Sequence, residues 1–225
     1  MKNLNQIKDS FKDKDLFDKA LTHRSWVNEN KEVRESNERL EFLGDAILEH
    51  IVSYDLFKKF PDKAEGYLTT LRANLVNTKN LFQVAKGLNL GDFLFLSKGE
   101  EESGGRTNES LLADTVEALI GAIYIDQGFD AASNFIDENV ISHLTTKLNE
   151  PLKDPKSRLQ EKVQAQRLPS PIYRVASSEG PDHNKLFRVE VKVNGQVIGI
   201  GEGKNKAEAQ QKAAASALEK LRPKE

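Results

Sequence analysis

The sequence predicts an all-α N-terminal domain followed by a small α+β domain of order α-β-β-β-α. Three observations carry this. Apolar residues recur at helical spacing through the first two thirds of the chain. A proline-bearing break then interrupts the pattern, and beyond it the period of the apolar residues falls to two. The expected boundaries are 1–148 for the helical domain, 149–154 for a linker and 155–225 for the α+β domain.

In the first domain, Asn37–Phe60 places Leu40, Leu43, Ile47, Ile51 and Tyr54 at spacings of three and four, which is one buried helix face. Pro61 stops that helix. Helical patterns recur at Gly66–Leu75, Lys79–Leu88, Glu109–Asp126 and Asp130–Leu148. Polar glycine-bearing stretches between them read as loops, notably Lys98–Asn108, with Glu100–Glu102 as a solvated run. Residues 27–36 read as a charged, flexible connection.

After the linker, Asp154-Pro155 is a favourable helix start, and Ser157–Gln166 follows as a short helix. Ile172–Ser178 and Phe187–Val193 alternate. In the second of these, Phe187, Val189, Val191 and Val193 face one way, while Arg188, Glu190 and Lys192 face the other. Asn194-Gly195 is a two-residue hairpin signal leading into a third strand, Gln196–Gly201. Ala207–Leu221 is alanine-rich and helical.

Composition narrows the function classes. The chain has no cysteine, so disulfides, thiolate metal sites and cysteine nucleophiles are excluded. Its four histidines (His23, His50, His143, His183) are too scattered for a zinc site. No apolar run is long enough to span a membrane, and the N-terminus is too polar for a secretory signal, so a cytoplasmic protein without a membrane partner is expected. The net charge of −2 hides an asymmetry. Residues 1–150 hold 18 Lys and Arg against 26 Asp and Glu; residues 151–225 hold 15 against 9. A basic tail suits a polyanion, and an acidic body suits cations.

The acids are patterned. Glu38, Glu41, Asp45 and Glu49 form one stripe along the long helix. Like charges at such spacings repel by about 0.2–0.5 kcal/mol per pair. A second helix, otherwise almost wholly apolar, carries Asp114 and Glu117 three apart, with Gly121 and Tyr124 continuing that face. Unpaired carboxylates in an apolar setting are costly, and neither Lys nor Arg on that helix neutralises them. Oxygen-rich clusters of this kind suit Mg²⁺ or Mn²⁺. A solvated face is the plain alternative, strongest for Glu38 and Glu49, which stand beside Arg39 and His50. His23 and Ser25, two apart on one segment, make no catalytic triad and read as structural.

Asn37–Leu48, NERLEFLGDAIL, resembles the hallmark motif of the ribonuclease III family. Ala20–Ser25 (ALTHRS), Glu65–Asn77 (EGYLTTLRANLVN), Lys98–Arg106 (KGEEESGGR) and Leu112–Tyr124 (LADTVEALIGAIY) resemble further segments of that family. The resemblance covers essentially the whole chain. It implies a double-stranded-RNA endonuclease whose metal site is formed by Glu41, Asp45, Asp114 and Glu117. Glu41, Asp114 and Glu117 are the implied ligands, and Asp45 and Glu117 the acids most tied to catalysis. Glu38 and Glu65 take supporting roles near the RNA or the dimer interface. The implied products carry 5′-phosphates and 3′-hydroxyls, and the implied substrates are ribosomal RNA precursors and other structured transcripts. A carboxylate-held Mg²⁺, or Mn²⁺ in its place, activates water for this chemistry, so no side-chain nucleophile and no organic cofactor is expected.

Residues 155–221 resemble a double-stranded-RNA-binding domain, on DPKSRLQEKVQ, GPDHNKLF and GEGKNKAEAQQKAAASAL. Such domains read A-form shape through two minor grooves and the phosphates between them. By resemblance, Gln160, Glu161 and His183 face the grooves, and Lys204, Lys206 and Lys212 face phosphate near a helix N-terminus. One departure stands out: Ala207 follows Lys206 where the family has a second lysine. The Gly-x-Gly at Gly201–Gly203 lacks the ending of a phosphate-binding loop. Cutting both strands is simplest with two sites related by a two-fold axis. The family dimerises through its motif helix, which makes Phe42 the residue that enters the partner. A catalytically silent RNA-binding protein and a metal-dependent nucleotide phosphohydrolase are the competing readings. All four acids being present argues against the first, and the RNA-binding tail against the second.

Overall fold

The computed structural model describes residues 3–143, 154–180 and 185–221. The chain forms two compact units, Met1–Leu152 and Lys153–Glu225. The first is helical and the second is α+β, the classes that the change of period predicts.

The first unit contains α1 (Leu4–Ser10), α2 (Lys14–Ala20), α3 (Arg24–Glu29), α4 (Glu38–Lys59), α5 (Glu65–Leu75), α6 (Thr78–Gly87), α7 (Lys98–Glu102), α8 (Glu109–Gln127) and α9 (Phe129–Asn139). Helix α8 runs through the middle. Its Leu111, Leu112, Val116, Leu119, Ile120 and Ile123 are all buried, which explains a stretch with so little polar periodicity. Helix α4 packs along it and buries Leu40, Ile47, Leu48, Ile51, Val52 and Leu56. No helix among the described residues is long and apolar enough to cross a membrane.

Four expectations need correction. Tyr54, expected on the buried face of α4, is 57 % exposed, because the buried face runs through Val52 and Leu56 at that end of the helix. Glu100–Glu102 is helical: α7 starts at Lys98, and the Ser97 hydroxyl accepts the Glu100 N–H at its N-terminus. The connection at 27–36 is partly helical and is pinned. Val27–Glu29 ends α3, and the Arg34 guanidinium lies over the rings of Phe95 and Trp26 while pairing with Asp18 at 3.4 Å. The helix expected over Asp130–Leu148 ends at Asn139, followed by a 3-10 turn at Ile141–His143; the remainder of that range lies outside the described residues. Helices α1 to α3 stand where the sequence offered no clear period. Each begins at a side chain that accepts backbone N–H groups, namely Asn3, Asp13 and His23.

The second unit contains α10 (Pro155–Ala165), β1 (Ile172–Glu179), β2 (Leu186–Val193), β3 (Gln196–Gly203) and α11 (Lys206–Lys220). The strands form an antiparallel sheet in the order β1-β2-β3. Asn194 and Gly195 both have positive φ, 51° and 79°, as a tight hairpin turn requires. Val189, Val191 and Val193 face inward with Leu159 and Val163 of α10. The Gly201–Gly203 pair belongs to a packing stripe. A Cβ on Gly199 would lie 2.3 Å from the Ala213 carbonyl oxygen, and one on Gly201 would lie 2.1 Å from the Ala213 nitrogen. Glycines on β3 and alanines on α11 thus let strand and helix backbones meet closely.

Candidate metal centre and RNA-binding face

The acidic stripe of α4 is not uniform. Glu38 pairs with Arg24 at 3.6 Å and accepts the Ser36 hydroxyl at 2.9 Å. Glu49 pairs with Arg72 at 2.9 Å, and the same guanidinium donates to Ser53 Oγ. Glu41 and Asp45, between them, have no ion pair among the described residues. Helix α8 crosses α4 here and brings Asp114 and Glu117 to the same place. Ligand oxygens of Glu41, Asp114 and Glu117 all lie within 4.8 Å of one another. Asp45 is not one of that trio. It stands one turn further along α4, exposed to solvent, and its charge is felt at Glu117 and Glu41.

The electrostatics follow from this crowding. Burial, then the charges of Asp45, Asp114 and Glu41, pushes the Glu117 carboxyl up to about 8. Burial and the neighbouring Asp114, Glu38 and Asp45 also raise Glu41. Burial raises Asp114, while nearby His23 pulls it down. Like charges held together with little solvent suppress ionisation, and a divalent cation is the partner that would let all of them ionise together. The donor set therefore fits a hard cation: three carboxylates, no sulfur and no paired ammonium or guanidinium.

Glu65 is the first residue of α5, is not part of the trio, and accepts the Thr69 hydroxyl at 2.7 Å. It lines an open apolar groove of about 600 Å³ with Tyr54, Phe57, Phe60, Leu68 and Arg72. Phe42 points outward from α4 and is 81 % exposed.

In the second unit, Gln160 and Glu161 are exposed on α10, opposite the buried Leu159 and Val163. Lys204 lies in the turn before α11, and Lys206 is that helix's first residue; both are exposed. Lys212 is paired with Glu208 at 2.7 Å. His183 lies outside the described residues.

Comparison with known proteins places this geometry. A family model described as ribonuclease-III-like matches residues 13–144, and one described as the double-stranded RNA binding motif matches residues 155–221. The chain belongs to the ribonuclease III family. Ribonuclease 3 of Geobacillus kaustophilus is 47 % identical over 219 residues, covering 97 % of this chain and 89 % of that protein. Ribonuclease 3 of Natranaerobius thermophilus is 46 % identical over 209 residues, covering 93 % and 91 %. Among solved structures, the nuclease domain of ribonuclease III from Campylobacter jejuni is 42 % identical, with a TM-score of 0.56, over 67 % of this chain and 99 % of that one. A second structure of that domain, described for flexibility in its region involved in dimer formation, has 46 % identity and a TM-score of 0.54, over 61 % and 98 %.

As a ribonuclease III the protein is an endoribonuclease with a double-stranded-RNA-binding module. One contributor to its site escaped the sequence reading, and so did the role of another. Gly44 and Gly121 are the points at which α4 and α8 touch. Spacing places Gly121 on the face of Asp114 and Glu117 but does not single out Gly44, whose signal is a glycine inside an apolar helical run, three positions after Glu41. His23 does read as structural, since its Nδ1 accepts the Ser25 N–H at 3.3 Å and caps α3. It nevertheless stands near enough to Asp114 to lower that carboxyl's pKa, a proximity that spacing alone did not reveal.

Proposed function

We propose that this ribonuclease III cuts double-stranded RNA as a Mg²⁺-dependent homodimer, with Mn²⁺ as a substitute. The proposed products are 5′-phosphate and 3′-hydroxyl ends on ribosomal RNA precursors and other structured transcripts. The observation that carries this reading is the approach of Glu41, Asp114 and Glu117 to within 4.8 Å, with no ion pair to any of them among the described residues.

Glu41, Asp114 and Glu117 would hold the cation, which when bound lowers the pKa of water and stabilises charge on the phosphate oxygens. Half-burial of Glu41 and Glu117 limits competing solvent at these carboxylates. Asp45 is exposed beside Glu117, where it can accept a hydrogen bond from the attacking water or from the RNA. Water attacks phosphorus and gives up a proton to solvent, the P–O3′ bond breaks, and the leaving 3′ oxygen takes a proton from solvent to become the hydroxyl. Glu38, held by Arg24 and Ser36, and Glu65, held by Thr69, have supporting roles.

The dimer reading rests on α4. Phe42 near its start is exposed, and an apolar groove lined by Tyr54 and Phe57 lies near its end. Antiparallel pairing of two copies of α4 about its middle sets Phe42 of each copy against the groove of the other. This is the reciprocal contact a two-fold axis requires. The tail then holds the duplex through Gln160, Glu161, His183 and the lysines near α11, leaving the acids to do the chemistry.

The test is incubation of the full chain with a long duplex RNA. Cleavage should be absent in excess chelator and restored by Mg²⁺ or Mn²⁺, with products that a 5′-phosphate-dependent exonuclease degrades. Full activity in chelator overturns the metal role, and no cleavage with either metal leaves the silent RNA-binding protein as the reading.

A further inference from the structure

The start of α11 carries an acid that the RNA-binding reading does not use. Glu208 lies in the helix's first turn, among Lys204, Lys206 and Lys212. Its Oε2 accepts the Lys204 N–H at 2.9 Å, and its own N–H donates to Asn205 Oδ1 at 2.8 Å. Its Oε1 pairs with Lys212 Nζ at 2.7 Å. One carboxylate oxygen therefore holds the backbone just ahead of the helix while the other holds an ammonium; the helix itself is capped by Asn205. The Lys212 ammonium, followed by the Lys204 N–H, keeps this carboxyl below the usual glutamate range, so it is ionised at neutral pH. Lys204 and Lys206 have no ion pair among the described residues.

A phosphate approaching this turn meets a negative charge among its three lysines. To bind Lys212 it must draw that ammonium away from Glu208. The pair is exposed, so the exchange is cheap but not free. We propose that Glu208 is a built-in competitor for RNA phosphate: it detains Lys212 and moderates the tail's grip on double-stranded RNA. The inference rests on reading the α11 lysines as the phosphate-binding face. A cutting enzyme must also let its product go, and a detained lysine raises the rate of release rather than slowing capture.

Glu208→Gln isolates the charge. A glutamine carbonyl oxygen can still accept the Lys204 N–H. Duplex-RNA affinity of the full chain is measured across a salt series in excess chelator, with RNA integrity checked on gels. Glu208→Gln should tighten binding by about two- to fivefold, the scale of one exposed ion pair. The slope of log K against log salt should steepen by roughly 0.9, the value for one added phosphate contact. Adding Lys212→Gln should abolish both gains, whereas Lys212→Gln alone should weaken binding by less than Lys204→Gln does, because Glu208 already holds that lysine back. An unchanged or weaker affinity in Glu208→Gln, with helicity and Tm retained, overturns the proposal. A gain that persists without Lys212 overturns it too, since the acid would then act by diffuse repulsion. If Glu208→Gln lowers Tm, Lys212→Gln alone decides: a severalfold loss shows that the lysine was already on phosphate. Lys204→Gln serves as the control for the underlying reading. Unchanged affinity there means that the phosphate face lies elsewhere, a failure distinct from that of the competitor role.

Discussion

Gly44 of α4 and Gly121 of α8 lie at the point where the two helix backbones meet. A Cβ on Gly44 would stand 1.8 Å from the carbonyl oxygen of Glu117, and one on Gly121 would stand 2.3 Å from that of Leu40. Glu41 lies one turn from Gly44, and Glu117 one turn from Gly121. The glycine contact therefore fixes how near the carboxylates of the two helices come. Gly44→Ala should force the helices apart, costing about 1–3 kcal/mol as overpacking does. Cleavage should fall further than the residual folded fraction explains. Urea denaturation and single-turnover cleavage on one preparation check this. Near-normal activity in a folded variant would show that the separation is not critical.

The raised carboxyls imply a pH dependence with a definite sign. Below the ordinary glutamate pKa of about 4.3, folded and unfolded chains both carry the Glu117 proton. As pH rises from there to about 8, the unfolded chain releases it while the folded chain keeps it, so stability falls. Glu41 and Asp114, raised mainly by burial, act in the same direction. The chelated protein should therefore show a Tm that falls as pH rises from about 5 to about 8. Added Mg²⁺ should stabilise it increasingly over the same interval, because ligands must shed protons to bind metal. Glu117→Gln should flatten the slope and abolish cleavage while duplex binding survives. A slope unchanged by that variant would assign it to other groups.

Much of this was legible in the sequence because apolar period and burial are the same fact seen twice. The 22-residue α4 repeats its pattern often enough to be read, the 19-residue α8 is apolar enough along its length to be read as a buried helix, and the β2 alternation fixes the inward valines. Helices α1 to α3 span 7, 7 and 6 residues, too few turns for a period to declare itself. Helix α7 is five charged or glycine residues long and depends on the Ser97 cap. Among the acids, spacing put Glu38, Glu41, Asp45 and Glu49 on one stripe, and their sequence neighbours already set Glu38 and Glu49 somewhat apart. The actual partners are tertiary: Arg24 reaches Glu38 and Arg72 reaches Glu49, and neither can be assigned from helix spacing.

Phe42 is 81 % exposed in the protomer, so Phe42→Ser should barely alter protomer folding. If it fills the partner's groove, the dimer should weaken by at least about tenfold, as loss of a central aromatic anchor does. Phe57→Ser, on the receiving side, should have a comparable effect. Sedimentation across a concentration series reads both. Unchanged association in the two variants would move the interface off α4.

A chain ending at Asn149 should still fold and cut, but weakly and only at low salt. The implied acids all lie within the first unit, and a Campylobacter jejuni nuclease domain that matches 61 % of this chain is a solved structure in its own right. The tail carries the excess of 15 Lys and Arg over 9 Asp and Glu after residue 150, so most phosphate neutralisation should go with it. Binding to a polyanion releases counterions, and log K falls with log salt by about 0.9 per neutralised phosphate. Removing several contacts must therefore do two things: lower the affinity at any one salt concentration, and flatten the dependence. A loss of affinity alone could come from a poorly folded fragment, but a flatter slope in a fragment of native helicity could not. The titration is best done in Ca²⁺, which accepts carboxylate ligands in a looser geometry than Mg²⁺ and so favours binding over turnover. The same affinity and slope with and without the tail would mean that the acidic unit holds the duplex unaided. The separation of holding from cutting would then be wrong.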